Sequence, residues 1–150
     1  MKEPLWLDRE DCLGIHEMML SQHGGLSGVR DEGLLLSAIA KPQNHFAYGS
    51  ESLTKMAASY AAGIVLNHPF LDGNKRTGFM TAVTFLELNG FEFAASEESA
   101  VQSTVGLASH HLTESGYADW LEANCRRQPQ EGVASSLRPR LSKKRSRNSE

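Results

Sequence analysis

Cysteine is scarce in this chain, and what there is forms no pattern. Cys12 and Cys125 stand far apart and in no CxxC pair. Neither a disulfide framework nor a thiolate metal site is expected, and both thiols read as free in a reducing cytoplasm. Long apolar runs are also missing, so no transmembrane segment and no membrane partner are expected. The opening MKEPLWLDRED is too acidic and too poor in apolar residues for a secretion signal. A Walker phosphate loop is excluded as well. GxxxxGK(S/T) requires glycine before the lysine, and Asn74 stands there.

Positive charge is rare until the chain's last stretch. From Met1 to Cys125 there are 7 Lys or Arg against 16 Asp or Glu, a net charge of −9. The remaining residues carry 8 basic and 2 acidic side chains, a net charge of +6. Within the acidic part the only adjacent pair of cations is Lys75-Arg76. A local basic point on an acidic body is a landing place for a small anion. The basic residues near the end fall in QPQEGVASSLRPRLSKKRSRNSE, which has few large apolar side chains and is expected to be disordered. Contact with nucleic acid is expected, if anywhere, through that tail. The division is therefore one domain over 1–127 and a tail over 128–150.

What is present is an ordinary globular composition, with 40% hydrophobic and 22% charged residues among 150. That length can bury a full core without covalent staples. The apolar spacing is helical almost throughout. A first helix runs from Asp8 to His23 and stops at Gly24-Gly25; Asp31 caps EGLLLSAIA, which ends before Pro42. Ser52 to Asn67 and Lys75 to Asn89 form two more, Ser96 caps another to Ala108, and Gly116 to Arg127 forms the last. QNHFAYGS, 43–50, has no helical period and is expected to be a loop or short hairpin. The fold class is all-α with this one non-helical excursion.

Between two apolar segments sits NHPFLDGNKRTGF, Asn67 to Phe79. Pro69 disfavours helix at His68, and Asn74 is a good cap for the following helix. The N–H groups of Lys75, Arg76 and Thr77 would then open an anion site, reinforced by the Lys75 charge and the planar fork of Arg76. Asp72 suits Mg2+, which takes one or two carboxylates beside phosphate oxygens. His68, across the same loop, is placed to accept a proton from an attacking hydroxyl. Each residue alone has a plain structural explanation. Together they are harder to dismiss, because two cations in a helix's first turn oppose its dipole unless an anion is bound. His16, His23 and His45 stand isolated and read as surface or core residues, adjacent His110-His111 make poor joint ligands, and Trp6 and Trp120 read as packing.

HPFLDGNKRTG, His68 to Gly78, resembles the signature of the Fic/Doc superfamily, HPFx(D/E)GNGRxxR. Lys75 matches the variant HxFxxANKR of death-on-curing (Doc) toxins, and GGLSGVRDEGLLLSAIAKPQ, Gly24 to Gln43, is similar to the family's segment before its flap. The resemblance covers about Leu5 to Arg127. It implies a helical bundle with the motif between two central helices and a β-hairpin flap at Gln43 to Ser50. It also implies His68 as general base, Asp72 as magnesium ligand, and Gly73, Asn74, Lys75 and Arg76 as the holders of ATP phosphates. Two departures from the AMP-transferring members stand out: Lys75 replaces a glycine and Phe79 the final arginine. By resemblance the expected reaction is Mg-ATP-dependent phosphorylation of a Ser or Thr hydroxyl on a translation elongation factor, blocking translation. AMP transfer (AMPylation) to a protein hydroxyl is the alternative, and a non-enzymatic binding protein the distant third. The self-inhibitory (S/T)xxxE(G/N) pattern is absent, so the resemblance implies a separate small antitoxin as partner.

Overall fold

Five helices open on a short polar side chain that accepts from an N–H of the first turn, taking up a donor that has no partner within the helix. Asp8 caps α1 (Arg9–His23), Asp31 caps α2 (Glu32–Ala47) and Ser52 caps α3 (Leu53–Asn67). Ser96 caps α5 (Glu97–Ala108) and Thr113 caps α6 (Glu114–Ala123). Between them, α4 (Asn74–Leu88) starts without any side-chain cap. The two strands β1 (Phe91–Phe93) and β2 (Cys125–Arg127) pair antiparallel, with Phe91 opposite Arg127 and Phe93 opposite Cys125. The computed structural model describes residues 1–129. The basic tail expected to be disordered falls outside the described residues from 130 on.

The all-α class holds, and α3 is its axis. All of α3 from Met56 to Val65 is buried, against α2 on one side and α4 on another. Its alanines and Gly63 make this possible, since small side chains let helix backbones approach. A Cβ on Gly63 would lie 2.7 Å from Ala38 Cβ of α2. Across the other face, a Cβ on Gly78 of α4 would lie 2.6 Å from Val65 Cγ2 and 3.1 Å from the Ala61 carbonyl oxygen. The N-terminal arm closes the far end. Tyr60 Oη accepts from Leu7 N–H and donates to Leu7 C=O, while Trp6 stacks on Phe85 with ring centroids 5.8 Å apart.

Two expectations fail for reasons of packing. First, α2 does not stop before Pro42; it carries the proline inside and continues to Ala47. The segment 43–50 is thus no hairpin flap but helix followed by a turn at Tyr48-Gly49. A proline forfeits one helical hydrogen bond. Here the continuation is held by Phe46 packing edge-on against Trp6, with centroids 5.9 Å apart, and by burial of Pro42 itself. Second, the last helix ends at Ala123, and Cys125–Arg127 turns into a strand. The Arg127 guanidinium lies 4.8 Å from the Phe91 ring centroid, and Arg126 pairs with Glu92 at 3.3 Å. These cross-strand contacts reward the pairing that helix propensity would forgo.

Because Gly78 sets how closely α4 lies on α3, Gly78→Ala should destabilise the fold by about 1–3 kcal/mol, the usual cost of overpacking. Urea unfolding of the purified variant measures this.

Candidate active site

The loop 68–73 spans the gap between α3 and α4, and a second chain segment laces it down. Val29 bridges Phe70 in antiparallel fashion; Leu71 N–H donates to Gly28 C=O at 3.0 Å. The N–H groups of Arg30 and Asp31 both donate to Pro69 C=O, at 2.7 and 3.0 Å. The Arg30 side chain donates to the carbonyls of His68 (2.6 Å) and Asn67 (2.8 Å), the exposed end of α3. Cations at a helix C-terminus complement its dipole. The extended segment beside the motif is therefore 26–31, not 43–50.

The structure places each sequence-derived site residue as follows. His68 ends α3 in the left-handed region, φ 52° and ψ 59°, and is exposed. Its ring makes no hydrogen bond or ion pair among the described residues. Asp72 is exposed too. Its Oδ2 accepts from Leu26 N–H at 3.1 Å and its Oδ1 from Gly73 N–H at 2.9 Å. Those two donors, Leu26 foremost, together with the Arg76 charge, hold its pKa below the ordinary carboxylate value. Each oxygen keeps a lone pair for a cation. No cluster of three or more His, Cys, Asp or Glu occurs among the described residues. A single exposed carboxylate with free lone pairs, as Asp72 offers, suits Mg2+, which takes few protein carboxylates and completes its shell with phosphate and water oxygens.

Asn74 corrects the capping expectation. Gly73, at φ 75°, occupies the N-cap position, and Asn74 is the first residue of α4. The buried Asn74 amide reaches back to Phe70, accepting from its N–H and donating to its C=O, both at 3.0 Å. A side chain so engaged is not free for phosphate; what Asn74 offers is its backbone N–H. Thr77 N–H is already bonded to Gly73 C=O, so the open donors at the helix tip belong to Asn74, Lys75 and Arg76. The Lys75 and Arg76 side chains are exposed and form no ion pair among the described residues.

A cavity of about 640 Å³ opens at this tip, within the range of small-molecule sites. Asp72, Gly73, Asn74, Lys75 and Arg76 form its polar end; Phe79, Met80, Val83 and Phe93 form an apolar wall along α4 and β1. His68 is not among its lining residues. The cavity therefore offers room for a phosphate-bearing donor on one side of the loop, with the imidazole exposed at the protein surface. Sequence reading missed the apolar half, because Phe93 and Val101 come from β1 and α5. It also missed buried His16, whose ring meets the loop from α1.

The model of the Fic/DOC family matches residues 6–86, and the chain belongs to that family. Within it, the chain stands with the Doc-type proteins. It is 34% identical over 113 residues to "Protein kinase doc" of Escherichia phage P1, covering 75% of this chain and 89% of that protein. It is 41% identical over 93 residues to "Toxin Doc" of Mycolicibacterium smegmatis, covering 60% of this chain and 68% of that one. No helix among the described residues is long and apolar enough to cross a membrane.

The low pKa of Asp72 fixes the sign of a pH effect. Its ionised form, bonded to Leu26 and Gly73, favours the fold above the ordinary value of 3.8, and this contribution fades as pH falls through the lower folded value. Asp72→Asn should therefore show a shallower loss of stability than the parent below about pH 3.8, read from urea midpoints across the acid range.

Proposed function

We propose that this protein transfers the γ-phosphoryl group of ATP to a Ser or Thr hydroxyl of another protein, acting as a toxin that a separate small antitoxin neutralises. The single observation carrying the reading is the cavity that runs from an uncapped, doubly cationic helix tip to an apolar wall headed by Phe79. The N–H groups of Asn74, Lys75 and Arg76, with the Lys75 and Arg76 side chains, hold phosphate oxygens. Phe79, Met80 and Val83 lie further along α4, where they suit the nucleoside end. A lysine at the tip and no charge one turn on favour a pose with the terminal phosphate toward the loop, and so phosphoryl rather than AMP transfer.

In the reaction, the acceptor hydroxyl oxygen bonds to the γ-phosphorus, the bond from that phosphorus to the β–γ bridging oxygen breaks, and ADP leaves. His68 takes the hydroxyl proton. Its exposure suits a macromolecular acceptor, which must reach the base from outside the cavity. Bound Mg2+ would neutralise phosphate charge, and Asp72 is the residue to hold it. The elongation factor that delivers aminoacyl-tRNA is the proposed target, and the cytoplasm the proposed location. The second reading, AMP transfer, has Pro69 and Gly73 in its favour, since both follow the broader Fic pattern.

ATP labelled at the α- or γ-phosphate separates the two. With host lysate as acceptor, γ-label should appear on protein, and His68→Ala should abolish it, a drop of about 100-fold or more. Retention of α-label alone would replace the kinase reading with AMP transfer.

A further inference from the structure

His16 has no role in the chemistry above, yet it lies beneath the loop that carries Asp72. It projects from α1, 2% exposed, with its ring stacked on Phe70 at 3.9 Å between centroids and 8° between planes. Its Nε2 is 2.8 Å from the carbonyl oxygen of Asp72. A carbonyl only accepts, so Nε2 carries the proton and donates. The stacking would be met by any planar ring; the hydrogen bond requires an N–H donor here, and histidine supplies both.

The consequence follows from the planarity of the peptide group. In a trans peptide the C=O of Asp72 and the N–H of Gly73 point in opposite directions. Drawing the carbonyl toward α1 therefore turns the Gly73 N–H outward, where Asp72 Oδ1 accepts it at 2.9 Å. Gly73 stands at φ 75°, ψ 18°, and a glycine passes readily between such a state and others. An unpinned Asp72–Gly73 peptide would flip, removing one of the two donors that orient the carboxylate and leaving only Leu26 N–H on Oδ2. Asn74 secures the other end of the turn through both backbone groups of Phe70. It leaves the Asp72 carbonyl untouched.

We infer that His16 is a positioning residue: its Nε2–H fixes the Asp72–Gly73 peptide so that the Asp72 carboxylate faces the cavity ready for a cation. The effect on metal and turnover rests on the function proposed above; the effect on the peptide does not. Such outer-shell donors typically change metal affinity or activity by about 10–100-fold when removed.

The test compares two variants. His16→Phe keeps the ring and its stack but loses the donor; His16→Gln keeps an N–H donor of similar reach but loses the stack. Stability should follow the ring, with Phe melting closer to wild type than Gln. Function should follow the donor. With ADP present, Mn2+ affinity measured by electron paramagnetic resonance should fall about tenfold in His16→Phe and recover in His16→Gln. Turnover should follow it, with the KM for ATP little changed. Independently of any ligand, the Gly73 amide resonance should be single in wild type and His16→Gln, and doubled or broadened in His16→Phe. An unchanged Gly73 amide in His16→Phe overturns the inference, as does loss of Mn2+ affinity in both variants in step with melting temperature. A wild-type protein that binds no Mn2+–ADP defeats the kinase reading instead, and the Gly73 amide then decides the role of His16 alone.

Discussion

The close contact of α3 with α4 is the constraint on which the site depends. Gly78 sits where any side chain would strike Val65 and the Ala61 carbonyl, near the end of α3 and the start of α4. With the helices held that near, the loop between them has little slack. His68 must bend into a left-handed conformation to leave α3, and Gly73 must do the same to enter α4. His68 and the uncapped tip of α4 are thus placed at opposite ends of one short turn by backbone geometry.

Charge is arranged against the same background. The described body is acidic overall, yet two cationic side chains stand at the positive end of α4, where the dipole disfavours them. Asp72 is the nearest compensation, and it is held by backbone donors rather than by an ion pair with Lys75 or Arg76. The tip consequently remains electropositive in the free protein. Each of these features favours negative charge at the tip over positive, and salt screens that preference.

Much of this was legible in the chain. Asp31 and Ser96 announced two helices as caps, and apolar spacing announced those that follow Asp8 and Ser52, all four of which form. The motif residues were legible because they are contiguous. Three features were not. Pro42 predicts a helix end by a local rule, but Phe46 gains enough against Trp6 to carry α2 through. Asn74 has the composition of a cap, yet its amide finds both backbone groups of Phe70, which a residue-by-residue propensity does not anticipate. His16 is 56 positions from Asp72, and no periodicity in α1 reveals which atom its ring will meet. The first and third are tertiary contacts that no local rule carries; the second is a local one, made across the turn to a residue only four positions back.

The left-handed turn at His68 also bears on how such a protein drifts. A residue with a Cβ held there costs about 1–2 kcal/mol relative to one at ease in that region. Glycine alone has no β-carbon to strain, so His68→Gly would relax the backbone at this turn. Loss of the imidazole by that change is then compatible with a stable fold. Foldability alone therefore gives no reason to keep an imidazole at position 68; only what its side chain does could keep it there.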